Sequence, residues 1–392
     1  MKPSPKVVGL VQARDEWPLL AVSVSHALTY HVHLVYVLNH ASTDGTLEGL
    51  NHLKNLWEGR IRVVNFGDRG FWQEASTNVL VTLSQEASPD WIYVFDADEF
   101  LLTKGLTPLG EILAGVGPEY VAVRYEVENW ISLRDFDEAN LDHYARLRYR
   151  SVPKGSLDLY PEACAEEIGK GNLNFYHVPF PSKVIFRNSG WWWLAAGAHF
   201  LKNPVDAPTL RLDPEMVRAA HFPYLVRKRL DQKAAEGEKL VRQGFPPFHG
   251  WQNQMMYRLA QENRLDRFWE QHTIGPRTGA DNERFENALP TFVVDEDFIQ
   301  AIGPVLRLLQ ERLDLAAFQR AAHGDLLPQE ATETEIPFRV AVETARTFQA
   351  IADSLRSERD KLAAERDRLA RAWGISRLLR SVRRFTVDRL RG

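Results

Sequence analysis

The chain has almost no cysteine. Cys164 is the single one among 392 residues, which excludes an intramolecular disulfide framework and a cysteine-based zinc site. Excess positive charge is also missing. The formal net charge of −4 argues against a general nucleic-acid binder. No repeat of solenoid or propeller period runs through the sequence, and no low-complexity segment interrupts it. A secretory pattern is not seen at the start, where Met1-Lys2-Pro3-Ser4-Pro5-Lys6 leads into a short strand-like run cut off by Arg14-Asp15-Glu16. Together with the lone cysteine, this predicts a reducing, cytoplasmic setting. Trp17 to Thr43 holds no charged residue, which raises the question of a membrane span. Ser23, Ser25, His26, His31, His33 and Asn39 lie inside it, however, so a buried helix followed by a buried strand is expected instead.

What is present is ordinary for a soluble globular chain with at least one large core: 44% hydrophobic and 26% charged residues. Tryptophan is abundant, and Trp191-Trp192-Trp193 form a cluster. It reads either as core and rim or as a sugar-facing surface.

The first hundred residues alternate. Val7–Val11, His33–Leu38, Ile61–Phe66 and Trp91–Phe95 read as buried strands. Helices are predicted from Pro18 to about Thr29, after Thr46, and over 72–87. This is the pattern of a parallel sheet with helices on both faces. The alternation breaks after residue 102. Strands are expected at Tyr120–Val127 and Ser182–Arg187, with long binding-loop-like sequence between them, and a helical stretch over 214–272 broken at Pro246-Pro247.

Chemistry gathers at the strand ends. Trp91-Ile92-Tyr93-Val94-Phe95 runs into Asp96-Ala97-Asp98-Glu99. On an extended backbone Asp96 and Asp98 leave on the same side, and two hard oxygen ligands suit Mg²⁺ or Mn²⁺. The bland alternative is a polar strand end and helix cap. In a parallel sheet the carboxyl ends share one edge, which brings Arg14-Asp15-Glu16 and Asn39 through Thr46 to the same crevice. Asn39, Ser42 and Asp44 can hydrogen-bond a base or ribose, and Arg14 can neutralise a phosphate. Lys183 can bind phosphate as a point charge or sit solvated on a strand edge. Nucleotide, diphosphate and metal together describe a nucleotide-sugar site.

On these residues the chain resembles the family-2 glycosyltransferases of GT-A fold. The likeness rests on Arg14-Asp15-Glu16, Ser42-Thr43-Asp44-Gly45-Thr46 and Asp96-Ala97-Asp98-Glu99-Phe100. It extends to a bacterial subgroup through Lys183, Gly197-Ala198-His199, Ala220-His221-Phe222-Pro223-Tyr224, Lys233 and Gly237. The resemblance implies an α/β GT-A-like, mostly parallel nucleotide-binding sheet with flanking helices, followed by a helical region and a long C-terminal helix. It implies an inverting transferase that moves a sugar from a nucleotide-sugar donor to a glycan or lipid-linked acceptor. The metal, Mn²⁺ or Mg²⁺, would lie on Asp96 and Asp98, with His199 or His221 as a further ligand. Arg14, Glu16, Asn39, Ser42, Asp44 and Lys183 would contact the donor. Asp98 would be catalytic, with a carboxylate base among Glu126, Glu128, Glu166 and Glu167. One departure stands out: Asn39-His40 occupies places where the family usually carries aspartate.

The expected organisation is a donor subdomain over 1–102, an acceptor and catalytic subdomain over 103–235, a helical region over 236–336, a long charged helix over 337–373 and a basic tail over 374–392. Ala341, Phe348, Leu355, Leu362 and Leu369 recur every seven residues, but Arg359 and Arg366 fall at companion positions, a weak coiled-coil pattern for self-association over 341–369. The tail carries six Arg against one Asp. With Ile375, Leu378, Leu379, Val382, Phe385 and Leu390 broadly on one face, it fits an amphipathic helix on an anionic membrane surface or one docked on a protein partner. Two other functions stay open. A nucleotidyltransferase would want a Gly-rich basic loop after the first strand, where Gln12-Ala13-Arg14-Asp15-Glu16 stands. A non-catalytic scaffold would use the long helix and tail to recruit partners.

Overall fold

The computed structural model describes residues 4–67, 73–153, 161–189, 192–203, 207–247, 250–275 and 291–313, with isolated positions beyond. The expected helix over 337–373 falls almost wholly outside the described residues, as do Trp191 and the whole basic tail.

Val7–Ala13 (β1), Leu19–Tyr30 (α1), Leu34–His40 (β2), Thr46–Leu56 (α2), Ile61–Phe66 (β3), Gln73–Ser84 (α3) and Trp91–Val94 (β4) alternate as expected. Then follow Glu99–Thr103 (β5), Leu109–Ala114 (α4), Ala122–Asn129 (β6), Leu141–Tyr144 (α5), Tyr149–Ser151 (β7), Pro161–Lys170 (α6) and Lys183–Arg187 (β8). Trp193–Leu194 (β9) and Leu201–Asn203 (β10) form a hairpin. Thr209–Arg211 (β11), Val217–His221 (β12), Lys228–Arg242 (α7), Trp251–Gln261 (α8), Leu265–Gln271 (α9), Phe292–Val294 (β13) and Asp297–Arg312 (α10) complete the described chain.

Among the described residues, nine strands form one sheet in the order β3-β2-β1-β4-β8-β6-β12-β5, with β11 on β6. The β3-β2-β1-β4 half is parallel throughout, while β8 and β5 run antiparallel to their neighbours. The protein is therefore mixed α/β with a mostly parallel sheet. The parallel half explains the continuous apolar runs. Val7, Val11 and Ala13 of β1 feed one core while Val8 and Leu10 feed the other, and Trp91/Tyr93 and Ile92/Val94 of β4 divide the same way. A strand buried on both faces needs apolar residues at every position.

From β1 the chain passes through α1 to β2 on one side. From β3 it passes through α3 to β4 on the other side of β1. Strand order thus reverses between β1 and β4, and the crevice outside their carboxyl ends is where open α/β sheets place ligands.

Two elements differ from expectation. β5 follows β4 after a turn, and β12 lies within the stretch expected to be helical. Val217-Arg218-Ala219-Ala220-His221 has little local strand preference. It becomes a strand because β5 and β6 bind it on both sides, so tertiary pairing overrides propensity. A third core is built from α6 to α9 and includes Phe175, Tyr224, Met256 and Phe268. α10 returns to α1, burying Phe298, Ile302, Val305, Leu306 and Leu309. Residues 297–312, expected in a separate helical region, share the core of the first hundred residues.

Candidate active site

Asp96 and Asp98 do not leave a straight strand. Glu99 N donates to Asp96 O at 3.1 Å, and Asp96 N donates to the Glu99 carboxylate at 3.2 Å, closing a turn between β4 and β5. The two aspartates therefore meet different nearest partners. Asp96 faces Lys183 at 2.7 Å, and Asp98 faces His221 Nε2 at 3.7 Å. The turn wins over the extended reading because β4 stops at Val94 and Asp favours turns.

Lys183 was expected to hold donor phosphate. Instead it is 1% exposed, beneath the turn, 2.6 Å from the fully buried Glu99 carboxylate. Burial opposes ionisation of Asp96, but the Lys183 ammonium prevails and holds its carboxyl below the usual range. Burial pushes Glu99 up to about 7 against the pull of Lys183, so Asp96 supplies most of the matching charge.

His221 meets Asp98 because β12 pairs with β5 in the register His221↔Glu99 and Phe222 N donates to Asp98 O at 3.0 Å. Asn129, opposite His221 on β6, fixes the imidazole. Its Oδ1 lies 2.8 Å from Nδ1 and can only accept, so Nδ1 carries the proton. Burial lowers the His221 pKa to about 4. At neutral pH the Nε2 lone pair thus faces the Asp98 carboxylate, two acceptors with no proton between them. That arrangement calls for a cation, and a histidine whose other nitrogen donates to an amide oxygen is set up as a metal ligand. Asp98 and His221 therefore fit a divalent metal. Among the described residues no third carboxylate, imidazole or thiol joins them. His199 instead donates from Nδ1 to Ser182 O at 3.1 Å. It sits after a short turn where Gly197 has φ 70° and a Cβ would lie 2.6 Å from His199 Nε2, which is why that turn takes glycine. Burial and then Lys183 lower its pKa.

The loop after β1 is tied to the loop after β2. Asp15 N donates to Ser42 Oγ at 3.1 Å, Glu16 N to Thr46 Oγ1 at 3.1 Å and Trp17 N to Asp44 at 3.3 Å. Ser42 and Asp44, expected to contact the donor, thus satisfy backbone N–H groups that β1 leaves open. Asn39 is buried at the end of β2. Its Nδ2 donates to Asn65 at 3.3 Å, and its Oδ1 has no partner.

The α7 helix closes the edge. Arg14 donates to His40 O at 2.9 Å and reaches Glu236 at 3.2 Å. Arg229, 5% exposed, bridges Glu16 and Glu138. Burial raises Glu16 to about 7, Arg229 opposing and Asp98 adding to the rise. Lys233 acts on both Glu16 and His221 and lies 6.0 Å over the Tyr224 ring. Arg229 was not foreseen, and Lys233 only as part of a motif. Their charged spacing on a polar helix gave the one available signal.

Glu126 and Glu128 are not brought to this corner. They alternate with Tyr125, Val127 and Asn129 along β6 and so leave on the opposite face. Glu126 pairs with Arg211 at 2.9 Å, and Glu128 with Arg150 and Arg218 at 3.2 Å. Glu166 and Glu167 pair with Lys170 on α6. Trp192 Nε1 donates to Arg187 O at 2.9 Å and Trp193 Nε1 to Glu74 at 2.8 Å, the core-and-rim arrangement.

No known family profile matches the chain, and no curated protein matches it. Solved structures do. One is S. aureus TarS 1-349, at 12% identity over 80% of this chain and 89% of that one, TM-score 0.33. The same protein in complex with UDP-GlcNAc gives 13% identity, the same coverage and TM-score 0.34. The bifunctional glycosyltransferase WbbM in its apo form gives 14% identity over 48% of this chain and 32% of that one, TM-score 0.24.

Proposed function

We propose that the protein is an inverting glycosyltransferase that moves a sugar from a nucleotide-sugar donor to a hydroxyl of a glycan or lipid-linked acceptor. The observation that carries this reading is the Asp98–His221 pair, two facing acceptors 3.7 Å apart at the crevice between β1 and β4. Asp98 and His221 would hold Mn²⁺ or Mg²⁺, with donor phosphate oxygens and water at the remaining positions. When bound, the ion supplies Lewis-acid stabilisation of the leaving diphosphate. Asn129 keeps the His221 lone pair on the ligand side. Lys233 offers a positive charge to the diphosphate from α7. The acceptor hydroxyl oxygen bonds to the anomeric carbon as the bond to the diphosphate breaks, and the hydroxyl proton passes to water or to the departing diphosphate.

The purified protein should release nucleoside diphosphate from a nucleotide-sugar in Mn²⁺ or Mg²⁺ and stop in chelator. Asp98→Asn and His221→Ala should each lower turnover by about 10²-fold or more, the scale for lost stabilisation of developing charge. Full activity in chelator removes the metal, and pyrophosphate as product would indicate a nucleotidyltransferase.

A further inference from the structure

Beside the Asp98–His221 corner lies a cavity of about 400 Å³, walled by Asn129, Phe175, Phe180, His199, Trp251 and Gln252 among others. Its size falls in the range of small-molecule sites. It touches the corner through two residues. Asn129 spends its Oδ1 on His221, and Phe180 packs its ring 4.4 Å from His221 and 6.0 Å from His199. The described lining holds no aspartate, glutamate, lysine or arginine. A diphosphate would find no counter-charge there, so this is not the donor's phosphate site. Aromatic surface is plentiful. Trp251 opens α8 and is tilted against Phe175, with ring centroids 6.0 Å apart and planes at 30°. Amide groups stand beside the rings: Asn129, 4% exposed, keeps Nδ2 available while Oδ1 is engaged, and Gln252 adds a second amide.

A flat apolar ring face next to uncharged hydrogen-bonding groups matches one ligand chemistry well. A pyranose has an apolar face of C–H groups and an equatorial belt of hydroxyls. The first packs on an aromatic face, and the second exchanges hydrogen bonds with amides and imidazole. We infer that this cavity is the acceptor subsite and takes an uncharged pyranose ring, with Trp251 as its stacking platform and Asn129 and Gln252 bonding its hydroxyls. The assignment as acceptor rests on the glycosyltransferase reading. The affinity for a pyranose does not. It also moves part of acceptor recognition to α8, beyond the 103–235 region expected from the sequence.

The test uses the full-length protein and the methyl pyranosides of glucose, galactose, mannose and N-acetylglucosamine as probes, read by saturation-transfer NMR. In parallel, UDP, GDP and CDP with Mn²⁺ are titrated calorimetrically. Wild type should bind at least one pyranoside. Trp251→Ala should weaken that binding about tenfold, equivalent to ~1.4 kcal/mol, Trp251→Phe should largely keep it, and Gln252→Phe, which fills the cavity from a partly exposed position, should abolish it. Nucleotide binding should persist in all three and be lost in Asp98→Asn. Pyranoside binding unchanged by both Trp251→Ala and Gln252→Phe, or absent from wild type, overturns the subsite. Pyranoside binding by a wild type that binds no nucleotide leaves the subsite standing and removes the donor reading instead.

Discussion

Lys183 lies beneath the Asp96–Glu99 turn, 1% exposed, with one carboxylate on either side. Its ammonium is matched by Asp96, while the turn it holds points Asp98 at His221. Removing Lys183 leaves Glu99 buried without a cation while Asp96, 43% exposed, keeps its solvent, so the cost of about 3–5 kcal/mol for breaking a buried pair is an upper bound. Lys183→Met should therefore lower unfolding free energy by up to that much in urea, and adding Glu99→Gln should restore part of it. A double variant no more stable than Lys183→Met would mean that Glu99 is not the group left unpaired. A second residue-scale test concerns acid stability. His31 donates from Nε2 to Leu101 O at 2.8 Å and lies 5.1 Å from the His26 ring, both imidazoles buried. Burial lowers His31 to about 4 from 6.5 and His26 well below its ordinary value. A depressed pKa means that the unfolded chain takes up the proton first. Stability is full above pH 6.5 and is lost as pH falls toward 4. For His31 the loss is on the order of 3 kcal/mol, at ~1.4 kcal/mol per pH unit. His31→Gln should flatten the unfolding free energy measured between these pH values, and an unchanged slope would remove His31 from the account.

At the scale of elements, the crossing of α7 and α8 sets how the edge closes, because α7 carries Arg229 and Lys233 while α8 carries Trp251. Gly237 makes that crossing possible: a Cβ there would lie 2.0 Å from Asn253 O and 2.4 Å from its carbonyl carbon. The obstacle is backbone and cannot swing aside, so Gly237→Ala must push the helices apart. Overpacking of this kind costs about 1–3 kcal/mol. The urea midpoint should fall accordingly, and Ala tolerated without a shift would mean that the helices sit further apart. Gly237 also shows what the sequence made legible. As a motif position it was visible, but its reason, a close helix approach, was not. The same holds across the site. β1 to β4 were readable because strands buried on both faces must be apolar throughout, and the carboxyl edge follows from their parallel order. The β4–β5 turn was not, since the turn-prone Asp96-Ala97-Asp98 also reads as a polar strand end, and Phe100-Leu101-Leu102 beyond it looks like a continuation of the apolar run. β12 was hidden for the opposite reason, its alanines reading as helix until β5 and β6 enclose it. Ser42 and Asp44 were legible as polar loop residues, but their hydrogen bonds to Asp15 N and Trp17 N were not, because those depend on how the loops after β1 and β2 meet.

At the scale of the whole molecule, the described C-terminal part belongs to the core. α10 buries Phe298, Ile302, Val305, Leu306 and Leu309, and Trp17 Nε1 donates to Leu315 O at 3.1 Å. Arg218 reaches Asp295 at 2.9 Å and Asp297 at 2.6 Å, clamping the start of α10 to β12. A buried large apolar side chain is worth about 1.5–3 kcal/mol, against roughly 5–15 kcal/mol for a whole domain. Losing the five on α10 would remove most or all of that margin. A chain ended at residue 290 should therefore fail to fold, seen as loss of soluble protein and of a cooperative thermal transition. A folded product would show that 291–392 is an appendage. No helix among the described residues is long and apolar enough to cross a membrane. Membrane contact is a proposal that rests on the sequence of 374–392 alone, where six Arg stand against one Asp. Each basic residue near an anionic surface contributes about 1 kcal/mol. The chain ended at residue 373 should keep its melting temperature and its donor hydrolysis but no longer sediment with phosphatidylglycerol vesicles. Wild type should sediment with those vesicles at low salt and release at high salt, since the attraction is screened within a Debye length. Sedimentation unchanged by the truncation would assign the tail to a protein partner or to no partner at all.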